Sequence, residues 1–227
     1  MMENELTLGE KLLLLAIRPN KGGIMWVSAQ SIDFCLIGAT ILEMEMSGIV
    51  SISEKRVKVN REISTSTLYN YLLEKMVHAN RPRKIGHWME AFVLSKKRVR
   101  NEIYQSLVQK REIRLEDKSF LFFKWKKPWL IPSNHTWNLI NNIKNLVYQN
   151  SENLQDLQLV TLLEPAELWS RIYPEWRMRR SAKQKIKQYL DKIYQSEILA
   201  RGVESLKAVR QAIQASISAR RAAAASV

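Results

Sequence analysis

The chain has little of what reactive or disulfide-bonded proteins rely on. Its 227 residues include one cysteine, three histidines, seven glycines and six prolines. A lone cysteine cannot form an internal disulfide, and Cys35 lies among apolar residues, so it reads as a small core side chain in a reducing, intracellular setting. His78, His87 and His135 share no close spacing with one another or with Cys35, whereas zinc takes three or four ligands at tight spacings; no metal site is expected. So few glycines leave none for a phosphate-cradling loop, and there is no G-x-S-x-G, Walker or dinucleotide fingerprint. Glu43 and Glu45 stand two apart on a predicted helix, and Glu116/Asp117 falls in a predicted turn, so neither pair suits acid–base work. A non-catalytic protein without a cofactor is expected. The longest apolar run, Leu12–Ile17, is far shorter than the roughly 20 residues that span a bilayer. The start, Met1 to Glu5, is acidic and has no positively charged region of the signal-peptide kind.

What the chain does have is positive charge, in two places. The formal net charge is +14. Residues 81–131 and residues 177–227 each carry a net +9, while 1–80 and 132–176 are slightly acidic. Charge concentrated this way implies an acidic partner, either nucleic acid or an anionic membrane. Apolar residues make up 46%, enough to build a substantial core.

Periodicity organises most of the chain into helices. Thr7 and Glu10 have capping-box spacing at the start of a helix that runs to Arg18 and stops at Pro19-Asn20-Lys21-Gly22-Gly23. A second helix begins near Gln30. Its apolar positions Ile32, Cys35, Leu36, Ala39, Leu42 and Met46 keep helical spacing, and Gly48 is placed to cap its C-terminus. Alternation over 49–59 reads as a β-hairpin, and 112–123 as a second one. Helices are expected over 66–79, 84–94, 95–110, 134–150, 153–173 and 176–221, with breaks at Pro165, Pro174 and Gly202. The expected fold is mainly α: one compact helical domain over 1–221 with two short, winged-helix-like hairpins. The Ala-rich end, 222–227, is expected to be disordered.

The most unusual stretch is Phe120-Leu-Phe-Phe-Lys-Trp-Lys-Lys-Pro-Trp-Leu-Ile131. It sets aromatic rings between lysines, the combination favoured at a membrane interface, where indoles are half-buried and ammonium groups snorkel to lipid headgroups. Phe122, Phe123, Trp125, Trp129 and Leu130 are candidates to insert, with Lys124, Lys126 and Lys127 as electrostatic support. On the basic helix from Ser95, Lys97 and Arg100 are three apart and share a face that could clamp a phosphate. The run Arg177–Lys187 reads as one side of a helix that adds electrostatic attraction. Two other readings stay open: a winged-helix-type nucleic-acid-binding protein, less favoured because of the apolar hairpin tip, and an interaction adaptor that uses the hairpin as a homo-oligomer contact.

These residues resemble the Golgi phosphoprotein 3 family. The resemblance rests on Leu6-Thr-Leu-Gly-Glu-Lys-Leu-Leu-Leu-Leu15, Gly38-Ala-Thr-Ile-Leu-Glu-Met-Glu-Met-Ser-Gly-Ile49, Arg81-Pro-Arg83, Trp88, Val99-Arg100, Leu107-Val-Gln-Lys110 and Phe120–Phe123, in order and spacing from residue 6 to about 132. It implies a mostly helical, cytoplasmic protein peripherally associated with membranes (the Golgi in eukaryotes). Eukaryotic members recognise phosphatidylinositol 4-phosphate and link membranes to the cytosolic tails of membrane proteins; bacterial members also exist. The family's headgroup pocket uses a Trp, an Arg on the second helix and two basic residues three apart. Lys97 and Arg100 match the last two, Trp26 lies close to the position of the Trp, and Ile37 stands at the position of the Arg. The family's membrane-inserting hairpin is matched by Phe120–Ile131.

Overall fold

The computed structural model describes residues 5–149, 153–193 and 200–226. The fold is mainly α with two small antiparallel sheets, as expected. Helix α1 (Leu8–Ala16) leads through a loop to α2 (Ile32–Met46), followed by β1 (Val50–Ser53), β2 (Arg56–Val59), α3 (Thr67–Val77), β3 (Arg83–Lys84), α4 (Ile85–Val93) and α5 (Lys96–Gln109). A hairpin of β4 (Ile113–Phe120) and β5 (Phe123–Leu130) comes next. The remainder is α6 (Asn134–Gln149), α7 (Leu154–Leu163), α8 (Trp169–Ile172), α9 (Trp176–Ile193) and α10 (Ala200–Ala225). None of the described helices is long and apolar enough to cross a membrane.

Helix α2 is the axis of the core. Every residue from Ile32 to Leu42 is buried, so the expected apolar stripe is in fact a largely apolar, fully buried cylinder, covered by α1, α4, α5, α7 and α10. A helix apolar all round is stable only when other elements surround it. Gly38 permits the closest of these contacts: a Cβ there would lie 2.5 Å from Ile213 of α10. At the C-terminus Gly48 takes a positive φ of 68°, with Gly48 N–H donating to Glu45 O and Ile49 N–H to Met44 O, the expected cap.

Polar groups tie α1 into this core. The Thr7/Glu10 capping box forms. Buried Glu10 also accepts from Ser106 Oγ at 2.5 Å and Lys110 Nζ at 2.8 Å, which binds α1 to α5. Glu43 of α2 accepts the Gly9 N–H at 2.9 Å, one of the helix-start donors that lack an intrahelical partner, and the Tyr69 hydroxyl at 3.2 Å.

Several expectations are adjusted by packing. The first hairpin gains a third strand, β3, paired to β2 through Arg56–Lys84 and Val57–Arg83; two residues are too few to show a period. Gly202 lies inside α10 instead of at a break, because its missing side chain makes room for Leu154, 2.7 Å from where a Cβ would be. Helix α10 continues to Ala225, through most of the end expected to be disordered, since alanine has the highest helix propensity. Pro165 does end a helix run, separating α7 from α8. The basic run after Trp176 forms α9, which buries Ala182, Ile186, Leu190 and Ile193 and exposes most of its cations.

Burial holds the Glu43 carboxyl above its ordinary 4.5, against the pull of its hydrogen bonds to Gly9, Thr7 and Tyr69. The folded state thus keeps this proton where the unfolded chain has lost it, and stability falls as pH rises above 4.5. Glu43→Gln keeps an acceptor for Gly9 and removes the buried charge. Its melting temperature should exceed wild type at pH 7–8, with the advantage fading toward pH 4; unfolding scans across that range check it.

Candidate functional site

The β4–β5 hairpin is a continuous ladder of eight pairs, from Ile113–Leu130 at its base to Phe120–Phe123 at its tip. Eight residues per strand give a length of roughly 26 Å. Alternation puts Arg114, Glu116, Lys118, Trp125, Lys127 and Trp129 on one face. Lys124 and Lys126 lie on the other.

The base is clamped to the body. In the loop between α1 and α2, Gly22 and Gly23 have positive φ values of 58° and 71°. The Gly23 N–H donates to Pro128 O at 2.7 Å, and the Arg18 side chain holds the loop by donating to Gly22 O at 2.9 Å. A Cβ on Gly22 would lie 2.6 Å from the Trp129 indole, so the ring rests on bare backbone. The Trp129 Nε1–H donates to Glu116 at 2.7 Å, Lys127 Nζ sits 4.5 Å over the ring, and Arg114 covers it at 5.4 Å. Lys118 and this indole hold the Glu116 carboxyl below the usual range. Leu130 packs against the core.

The tip is the opposite. Leu121 and Phe122 form the two-residue turn; Leu121 is 78% exposed and Phe122 97%. Leu121 holds a φ of 52°, a left-handed conformation for which glycine is the default in such turns. Trp125 is 48% exposed, and Lys124 and Lys126 have no ion pair among the described residues. The Phe123 side chain lies outside the described set.

Of the five hairpin residues singled out from the sequence, the four whose side chains are described divide. Phe122 and Trp125 project into solvent, whereas Trp129 and Leu130 lie at the base against the body. The reason is register: each strand is eight residues long, so its far end reaches the domain. Of the supporting lysines, Lys127 is committed to the Trp129 ring. Leu121, which sequence reasoning passed over, is one of the most exposed apolar side chains. Its place between two phenylalanines was the available signal.

The second candidate surface lies where α5 meets the start of α2. Arg100 donates through Nε to Asp33 at 2.9 Å and through a second nitrogen to the same oxygen. Lys96 approaches Asp33 at 3.7 Å. Asp33 is 4% exposed, so a protein carboxylate already holds the guanidinium. Lys97 is exposed and has no ion pair among the described residues; Trp26, on a 3-10 turn ahead of α2, is 83% exposed. Ile37 is fully buried in α2. Asp33 was legible as a lone acid in an apolar stretch, which requires a cation once buried.

A model of the family described as Golgi phosphoprotein 3 (GPP34) matches residues 8–216. The chain belongs to that family. No curated protein matches it. In this Golgi phosphoprotein 3 family member the match extends past the hairpin through α6–α9 and most of α10, well beyond the residues that carry the resemblance in sequence.

Gly22→Ala should cost about 1–3 kcal/mol, from left-handed strain and collision with Trp129. Denaturant unfolding measures the cost, and faster amide exchange at Gly23 would locate it at the hairpin base.

Proposed function

We propose that this chain is a non-catalytic, peripheral membrane-docking protein that touches anionic bilayers with the tip of its β4–β5 hairpin. The observation that carries the reading is the pair Leu121–Phe122, almost wholly exposed at the end of a stiff, clamped hairpin, with Trp125 behind it and Lys124 and Lys126 on the opposite face. Burying a side chain such as Leu or Phe is worth about 1.5–3 kcal/mol, and each basic group near an anionic leaflet about 1 kcal/mol, so the tip would dock reversibly. A wing that grips nucleic-acid phosphates has no use for an exposed Leu-Phe turn, which favours lipid over nucleic acid.

For the headgroup, the family resemblance points to phosphatidylinositol 4-phosphate held by Trp26, Lys97 and Arg100. The Asp33–Arg100 pair supports a different balance, in which negative surface charge matters more than one headgroup. Docking by the tip leaves the helical body free for the adaptor role that the resemblance implies, binding the tails of membrane proteins.

Flotation with phosphatidylserine vesicles tests the tip. Wild type should float, and Phe122→Ala with Trp125→Ala should lose about tenfold or more in partitioning. Equal flotation of the double variant would refute the reading, as would salt-sensitive binding to duplex DNA by a protein that ignores vesicles. If light scattering shows a dimer that the double variant breaks, the hairpin is a subunit contact instead.

Asp33→Asn tests the headgroup half. Freed of its carboxylate, Arg100 should increase retention on vesicles containing phosphatidylinositol 4-phosphate, while the melting temperature falls. Unchanged retention would remove Arg100 from the site.

A further inference from the structure

A second concave site lies far along the chain from the hairpin, among α7, α8, α9 and α10. Two adjoining cavities, about 310 and 570 Å3, share Glu164, Trp169, Lys183 and Gln214 as a common wall. The smaller is lined by Lys183 and Lys187, one turn apart on α9, and by Arg210 of α10. Lys183 is paired with Glu164 at 3.1 Å. Lys187 and Arg210 have no ion pair among the described residues, although Asp191 also lines the cavity.

Arg210 is half-buried, and its buried Nε has no protein partner among the described residues. Leaving such a donor unpaired is costly, and an arginine withdrawn from water ordinarily has a carboxylate or other anion beside it. Two more unpartnered polar atoms belong to residues lining the same cavity: the Trp169 indole Nε1, in a side chain 3% exposed, and the Thr161 hydroxyl, in one 2% exposed. The rest of the wall includes Val160, Ile186 and Leu190. Cationic side chains thus stand beside an apolar surface, and two residues of the same wall carry buried unpartnered donors, in a cavity of ligand size.

We propose that this cleft binds a small amphiphilic anion, a phosphate monoester on an apolar stem. Arg210 and Lys187 hold the head, while Ile186, Leu190 and the Trp169 ring take the stem. Phosphate suits the donor set better than carboxylate. A guanidinium and an ammonium line this cavity, and a phosphate monoester has three terminal oxygens and up to two negative charges to meet them where a carboxylate has two oxygens and one charge. The site is independent of hairpin docking: none of the hairpin's residues lines it.

The test titrates the full chain with octyl phosphate below its micellar concentration. Binding is followed by the Trp169 indole N–H resonance, assigned through Trp169→Phe, and by melting temperature. Saturable binding is expected, weaker with inorganic phosphate and absent with octyl glucoside. Arg210→Gln should weaken it by about tenfold or more. Lys187→Gln, on an exposed position of α9, should weaken it in the same direction and carries the test if the Arg210 variant does not fold. The Phe122→Ala, Trp125→Ala protein should bind as wild type does. Unchanged affinity in folded Arg210→Gln, or in Lys187→Gln where that variant carries the test, would overturn the proposal, as would an equal response to octyl glucoside. Equal affinity for inorganic phosphate would remove the apolar stem. Loss of binding in the tip variant would assign the ligand to the hairpin.

Discussion

From Ile32 to Leu42, helix α2 has no face exposed to water, and the architecture answers that constraint. Every residue in that stretch is withdrawn from water, so α1, α4, α5, α7 and α10 enclose it. Close packing then dictates details that look unrelated: Gly38 must lack a side chain for α10 to approach, and Glu43 must find hydrogen bonds at the starts of α1 and α3. The same burial draws Asp33 under cover, and its carboxylate takes Arg100 and Lys96 from the surface of α5. A phosphate arriving at α5 therefore competes with an internal anion.

The loop that brings the chain from α1 into α2 is also the platform for the hairpin. Gly22 and Gly23 give a flat backbone surface and an N–H for Pro128, and the Trp129 ring closes over them. An indole used this way is structural. It lets the distal half of the hairpin carry Leu121, Phe122 and Trp125 in solvent without collapsing onto the body. One strand thus holds two tryptophans with opposite duties, four residues apart and on the same face.

Basic charge follows a similar division. Arg100 and Lys127 are bound to Asp33 and the Trp129 ring, while Lys97, Lys124 and Lys126 have no ion pair among the described residues. On α9, Lys183 is paired with Glu164, whereas Lys187 lines a cavity beside Arg210, which has no ion pair among the described residues. Net charge alone describes an attraction; the pairing pattern separates cations that stabilise the fold from those available to a ligand.

Much of this was legible in the residues themselves. Helical periods, the Thr7/Glu10 capping box, the Gly48 cap and the alternation over 49–59 are local signals with local physical causes, and each corresponds to an element found. The family resemblance was legible as well, in α1, α2 and the hairpin strand. What lay beyond reach was long-range. No local pattern reveals that residues 22 and 129 touch, that Asp33 meets Arg100, or that Gly202 makes room for Leu154 instead of ending a helix. Composition made Phe120–Ile131 a segment of aromatics and lysines; only the register and the clamp at its base decided which aromatics face solvent. Sequence determines which side chains are available, and tertiary packing decides which of them are already in use.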